Sequence, residues 1–144
     1  MGEDGQEKGI MLKIRKFKEG DYELVCGWWK HRGEPIPPLE LVSRNTYILE
    51  NEAGTPWVCL TLIGFSTPWI AWSAGLVSNP ELPKEGRKEA VKALWDFVAD
   101  AASDLGYQNL LCMAPNEKLE ARYKDLGFTV TKKNMTLLVR ELGG

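Results

Sequence analysis

The sequence has one histidine, His31, and only three cysteines, Cys26, Cys59 and Cys112. It has no C-x-x-C spacing and no Cys/His cluster, so nothing points to a metal site. The cysteine count is odd, and each thiol lies in an apolar stretch. That reads as three buried, reduced thiols of a cytoplasmic protein rather than a disulfide framework. No apolar run reaches the ~18 residues that a membrane span needs. The opening MGEDGQEKGI has no apolar signal-peptide core, and Gln6 stands where a myristoylation signal wants Ser or Thr. Residues 1–10 are expected to form a disordered tail ahead of a second start at Met11. A basic excess is also missing. The 18 Lys and Arg against 20 Asp and Glu leave a net charge of −2, which argues against nucleic acid and anionic membrane.

What is present is ordinary for a globular domain: 144 residues, 44% hydrophobic and 26% charged. A chain of this length buries roughly two-thirds of its unfolded surface, so a core forms without staples. No linker or repeat interrupts it, and residues 11–144 read as one domain.

Hydrophobic periodicity gives the order of elements. Residues 12–17 read as a strand, with Leu12 and Ile14 on one face. A helix opens at Gly20-Asp21, with Asp21 as its cap, and puts Leu24, Val25 and Trp28 on one side. It stops near Gly33, before a Pro-rich stretch (Pro35 to Pro38) and one more helical turn through Leu41-Val42. Residues 45–51 and 56–64 are two strands joined by a turn at Gly54. The second is apolar almost throughout, as a strand covered on both faces would be. After a turn at Ser66-Thr67-Pro68, residues 69–77 form a fourth strand. Val91, Leu94, Trp95, Val98, Ala101, Ala102 and Leu105 mark a long amphipathic helix ended by Gly106. Residues 109–114 are a fifth strand, and 116–126 a short last helix. Residues 128–130 and 135–139 read as two final strands. The long crossover helix makes the fourth and fifth strands parallel. The fold class is therefore α+β, a mixed and mostly antiparallel sheet with a central parallel strand–helix–strand unit.

That order, together with the segment NEKLEARYKDLGF from Asn116 to Phe128, resembles the GNAT acyltransferases (the acyl-CoA N-acyltransferase fold). The resemblance covers roughly residues 12–142 and is most specific in the last third. Family members carry an Asn opening the final helix, a Tyr seven residues on and a Gly-Phe after it; Asn116, Tyr123, Gly127 and Phe128 match. The resemblance implies that Asn116 contacts the pantetheine arm of acetyl-CoA and that Tyr123 protonates the leaving thiolate. A phenol ordinarily titrates near ~10, so it keeps a proton to give at neutral pH. Each residue also has a local structural role open to it. Asn116 is a good N-cap, Leu119, Tyr123 and Leu126 form a core stripe, and Gly127 is a good left-handed helix terminator.

Acetyl-CoA also brings a pyrophosphate, which backbone N–H groups at a helix N-terminus bind well. The family's Gln/Arg-x-x-Gly-x-Gly/Ala loop is not reproduced in Leu82 to Ala90, where Gly86 is the one glycine. Lys84, Arg87 and Lys88 supply positive charge, and the alternative is a solvated helix start with Glu85 and Glu89 pairing the lysines. In the family, pantetheine adds like a strand to the end of the fourth strand. Leu76 and Val77 would provide those backbone groups, and Gly75 marks either a bulge or a close packing contact.

For the acceptor amine, the fourth strand holds no acid and Ser73 holds at most a water. Glu50, Glu52 and Glu81 have no support, so no base is assigned. Trp28 and Trp29 lie about 100° apart on a helix, so one is expected to be partly exposed. Trp29 to Arg32 and Pro35 to Pro38 could floor an acceptor site, or Trp29 could cap the core edge. The resemblance implies an acetyl-CoA-dependent N-acetyltransferase using direct transfer; the alternative is a non-catalytic GNAT-fold module with weakened CoA binding. The expected partners are a small-molecule or peptide amine and a second copy of the chain.

Overall fold

Alternating apolar residues and a bidentate arginine set the first strand in place. In the computed structural model, which describes residues 12–64, 70–81, 83, 85–136, 138 and 140–143, β1 (Leu12–Lys16) lies antiparallel to β2 (Thr46–Asn51). Arg15 of β1 donates to both carboxylate oxygens of Asp21 at 2.7 and 2.9 Å and to Glu50 of β2 at 2.8 Å. Asp21 opens helix α1 (Asp21–His31), but it is not the cap. Gly20 holds that position, and the Asp21 carboxylate instead accepts from the Lys18 backbone N–H and from Arg15. Burial alone would raise the Asp21 carboxyl. The Arg15 hydrogen bonds, the Lys18 N–H and the Arg15 charge outweigh it and hold the group below its ordinary value.

Helix α2 (Leu39–Asn45) extends the expected single turn to seven residues and leads into β2. β3 (Pro56–Gly64) is buried over most of its length, as its continuous apolar sequence requires. β4 (Ile70–Ser78) pairs antiparallel with β3 and parallel with β5 (Asn109–Leu111). The long crossover between them is α3 (Arg87–Asp104), ended by Gly106. The described strands form one sheet in the order β1-β2-β3-β4-β5.

The sheet is covered on both faces. Ile48, Cys59 and Val77 stand side by side across β2, β3 and β4 and pack with Val25, Trp28, Trp29 and Val42 of α1 and α2. On the other face lie the buried Val91, Leu94, Trp95 and Val98 of α3, and Phe97 meets Tyr47 edge-on at 5.3 Å. Both Trp28 and Trp29 are only 3% exposed, which corrects the expectation that one would face solvent. The Pro-rich loop returns over α1, held by Tyr22 Oη donating to the Pro37 carbonyl at 2.9 Å, so a second side of the helix is covered.

Contacts divide the chain into two units between Met113 and Ala114. The second contains α4 (Glu117–Asp125). The expected strand at 128–130 does not form, and the described part of 135–139 joins no sheet. Val130, Met135 and Leu138 are exposed, so burial does not favour their extended pairing. β5 also stops at Leu111, short of the expected 114. Residues 1–10, Ser66-Thr67-Pro68, the expected strand start at Trp69, Leu82 and Lys84 lie outside the described residues. No described helix is long and apolar enough to cross a membrane.

Candidate active site

The parallel pairing of β4 and β5 is short. It runs Ile70–Asn109, Ala71–Leu110 and Trp72–Leu111, then ends. β4 continues for six residues to Ser78 with no described strand on that side. Its other side remains paired with β3, but the register shifts. Cys59 faces Val77 while Thr61 faces Ala74, so β4 carries one extra residue at Gly75-Leu76. This is the bulge that Gly75 suggested, at the stretch where β4 loses its β5 neighbour. Leu76 and Val77 follow at once. The Val77 side chain is fully buried, so what Val77 offers on the open edge is backbone. Asn79 fastens the strand's exit, its backbone N–H donating to the Trp57 carbonyl at 2.7 Å and its side-chain amide to the Pro56 carbonyl at 3.1 Å.

Beyond that exit, α3 starts on Gly86, which has the left-handed φ of 81°. Glycine brings no side chain to cap the first-turn N–H groups, so these remain oriented toward the start of the helix. Arg87 is half-buried and Lys88 exposed at this end. Lys84 falls outside the described residues.

A groove of about 510 Å³ opens in the same unit. Trp29, residues 34–38 and Leu41 line one side, and Thr61, Ile63 and Ala74 of β3 and β4 line the other. Trp29 and the Pro-rich loop therefore line one groove, while Trp29 also belongs to the core. His31 and Arg32 are exposed and are not among the described lining residues. Ser73 is buried, donates to the Thr61 carbonyl at 3.0 Å and is not among the described lining residues. Glu50 is engaged by Arg15.

The sequence reading overlooked Glu34, the one acidic residue of the described lining. Its placement follows from how α1 ends. Gly33 has φ 72°, its N–H donates to the Lys30 carbonyl at 3.0 Å, and the Glu34 N–H donates to the Trp29 carbonyl at 3.0 Å. These two bonds form a Schellman termination, which brings the residue after the glycine back onto the last turn. The signal was present as Gly33 before a proline stretch, with a carboxylate between them.

In the second unit, α4 uses the motif residues structurally. Asn116 is its N-cap, with Oδ1 accepting from the Leu119 N–H at 2.9 Å. Gly127 has φ 97°, and the N–H groups of Gly127 and Phe128 donate to the carbonyls of Lys124 and Tyr123, again a Schellman end. Tyr123 is 8% exposed, and its ring lies 5.9 Å from that of Phe128.

No disulfide joins the three cysteines. Burial raises the Cys59 thiol strongly and pushes Cys112 up to about 11, so neither supplies a thiolate near neutral pH. Among the described residues, no group of three or more His, Cys, Asp or Glu could hold a metal.

A five-stranded mixed sheet with a bulged fourth strand, a short parallel fifth strand and this helix order is the fold of the GNAT acetyltransferases. Solved structures agree. An acetyltransferase of Trypanosoma brucei superposes with a TM-score of 0.67 at 20% identity, over 89% of this chain and 99% of that one. A predicted acetyltransferase with acetyl-CoA from Clostridium acetobutylicum gives 0.63 at 16% identity, over 89% and 96%. The glucosamine-6-phosphate N-acetyltransferase of Arabidopsis thaliana gives 0.63 at 14% identity, over 90% and 99%. No protein-family model matches the chain, and no curated protein matches its sequence.

Proposed function

We propose that this chain is an acetyl-CoA-dependent N-acetyltransferase that moves acetyl directly from the thioester to a primary amine. The observation that carries the reading is the β4 edge beyond Trp72, unpaired among the described strands and bordered by a groove that includes Ala74. An extended pantetheine arm fits such an edge by strand addition, with Leu76 and Val77 offering backbone groups. The start of α3 at Gly86, with Arg87, Lys88 and Lys84, would receive the pyrophosphate on backbone N–H groups and positive charge. The Clostridium neighbour's acetyl-CoA supports the same co-substrate here.

In this reading the amine nitrogen attacks the acetyl carbonyl carbon. The tetrahedral intermediate collapses with cleavage of the carbon–sulfur bond. Tyr123 then gives its phenolic proton to the leaving thiolate, and the amine loses one proton on becoming an amide. Asn116 keeps its amide N–H₂ group for the pantetheine, since the helix cap uses only its oxygen. The raised Cys59 and Cys112 thiols disfavour an acetylated intermediate on either of them. The reading places the protein in the cytoplasm, where its thiols stay reduced.

The test is a titration with acetyl-CoA. Saturation at ~100 times the dissociation constant stabilises the fold by about 2.7 kcal/mol, which raises the Tm by about 5–10 °C. If millimolar acetyl-CoA gives neither binding heat nor a Tm shift, the enzyme reading fails and a non-catalytic module remains. With turnover established, Tyr123→Phe lowers kcat by about a hundredfold while leaving acetyl-CoA affinity unchanged.

A further inference from the structure

The chemistry of the groove narrows the acceptor. Its described lining is almost wholly apolar: Trp29, the proline loop with Ile36, Leu41, Ile63 and Ala74. No lysine or arginine is among the described lining residues. Lys30, His31 and Arg32, at the same end of α1, are exposed and do not line it. A phosphate or carboxylate on the acceptor would therefore lie against apolar walls and a like-charged Glu34. An ammonium group would meet one carboxylate.

Glu34 is not an incidental surface charge. A Schellman termination usually sets an apolar residue at this position, packed against the residue five before it. Here that earlier residue is Trp29, and the later one is Glu34, whose backbone is fixed by its N–H bond to the Trp29 carbonyl and whose side chain lines the groove. The loop that follows is fixed as well, by prolines at 35, 37 and 38 and by the Tyr22 hydroxyl on the Pro37 carbonyl. The groove is thus preformed, and about 510 Å³ suits one small molecule.

We infer that the acceptor is a small primary amine with an uncharged apolar body, its ammonium received by Glu34 and its body laid over Trp29 and Ile63. This rests on reading the chain as an N-acetyltransferase, and it deepens that reading.

The full chain is titrated, with and without coenzyme A, while the Trp29 indole N–H is followed by NMR. The probes are n-butylamine, n-hexylamine, 2-phenylethylamine, n-hexanol, L-glutamate and glucosamine 6-phosphate. The expected result is that hexylamine and phenylethylamine bind. Each methylene from butyl to hexyl should tighten binding about twofold to fourfold. Glu34→Gln should weaken hexylamine about fivefold and leave hexanol unchanged, with the Tm preserved because Glu34 is exposed. The inference is overturned if no amine binds, if glutamate or glucosamine 6-phosphate binds as tightly as hexylamine, or if Glu34→Gln leaves hexylamine affinity unaltered. Hexylamine binding in a chain that ignores acetyl-CoA would uphold this inference about the groove and overturn the transferase reading alone.

Discussion

At the scale of single residues, one ion cluster dominates. Arg15, Asp21 and Glu50 have side chains only 18%, 5% and 12% exposed, so their desolvation is largely complete. Taking charges out of water is costly, and the geometry offsets it: the guanidinium meets three carboxylate oxygens and the Lys18 N–H satisfies Asp21 further. Asp21→Asn leaves Arg15 paired with Glu50 but weakens the two guanidinium bonds and the Lys18 N–H bond to a charged carboxylate. The change is expected to cost about 1.5–3 kcal/mol in urea unfolding. The pH dependence has a definite sign. The folded Asp21 carboxyl lies below its unfolded value, near about 3.9, so the contribution is complete above that value and is lost as pH falls through the folded one. The wild-type Tm should therefore drop from about pH 5 downward, and Asp21→Asn should drop less. Parallel curves would exclude Asp21 as the cause. The cluster was illegible in the sequence, because Arg15 meets Glu50 only through the β1–β2 pairing and Asp21 only through the turn from β1 into α1.

At the scale of elements, helix ends explain what the sequence did and did not disclose. Three helices end alike: Gly33 with Glu34, Gly106 with Tyr107, and Gly127 with Phe128, each pair donating to carbonyls of the last turn. Glycine after an apolar stripe is a strong stop signal, so these ends were readable. What each terminal residue then touches was not. The Tyr107 hydroxyl lies so close to Gly64 that a Cβ there would collide with it, a long-range contact that no spacing encodes. Glu34 reached the groove in the same way. The paired tryptophans misled because helical periodicity assumes one buried face, and the proline loop supplied a second. Gly33 has open space around its missing Cβ, so Gly33→Ala carries only the backbone penalty of φ 72°. The expected loss is about 1–2 kcal/mol by urea denaturation, with Gly33→Asn losing less. Because the same bend holds Glu34, Gly33→Ala should also weaken hexylamine binding. A loss of stability with unaltered affinity would separate the helix end from the groove.

At the scale of the whole molecule, stability and the resemblance to a family lie in different places. Among the described residues, every buried apolar side chain but Tyr123 belongs to the unit ending at Met113, as do the five described strands and the groove. The segment that best matched a family in sequence is α4, in the other unit. Its residues are held by local bonds, which is why they were readable along the chain. The open β4 edge depends on where a strand 40 residues away stops, and only Gly75 hinted at it. A chain cut after Met113 is therefore expected to keep its far-UV circular dichroism and a cooperative melt. If the chain performs the proposed transfer, its turnover should fall by at least the hundredfold expected for Tyr123→Phe, since the proposed acid and pantetheine contact are gone. The complementary peptide, residues 114–144, should have little helix in water. Its one helix has nine residues, short of the ~12–15 that isolated helices need. A truncated chain that melts without cooperativity would move part of the folding free energy into α4 and make the motif structural first. A truncated chain that folds and still turns over would remove Tyr123 as the acid.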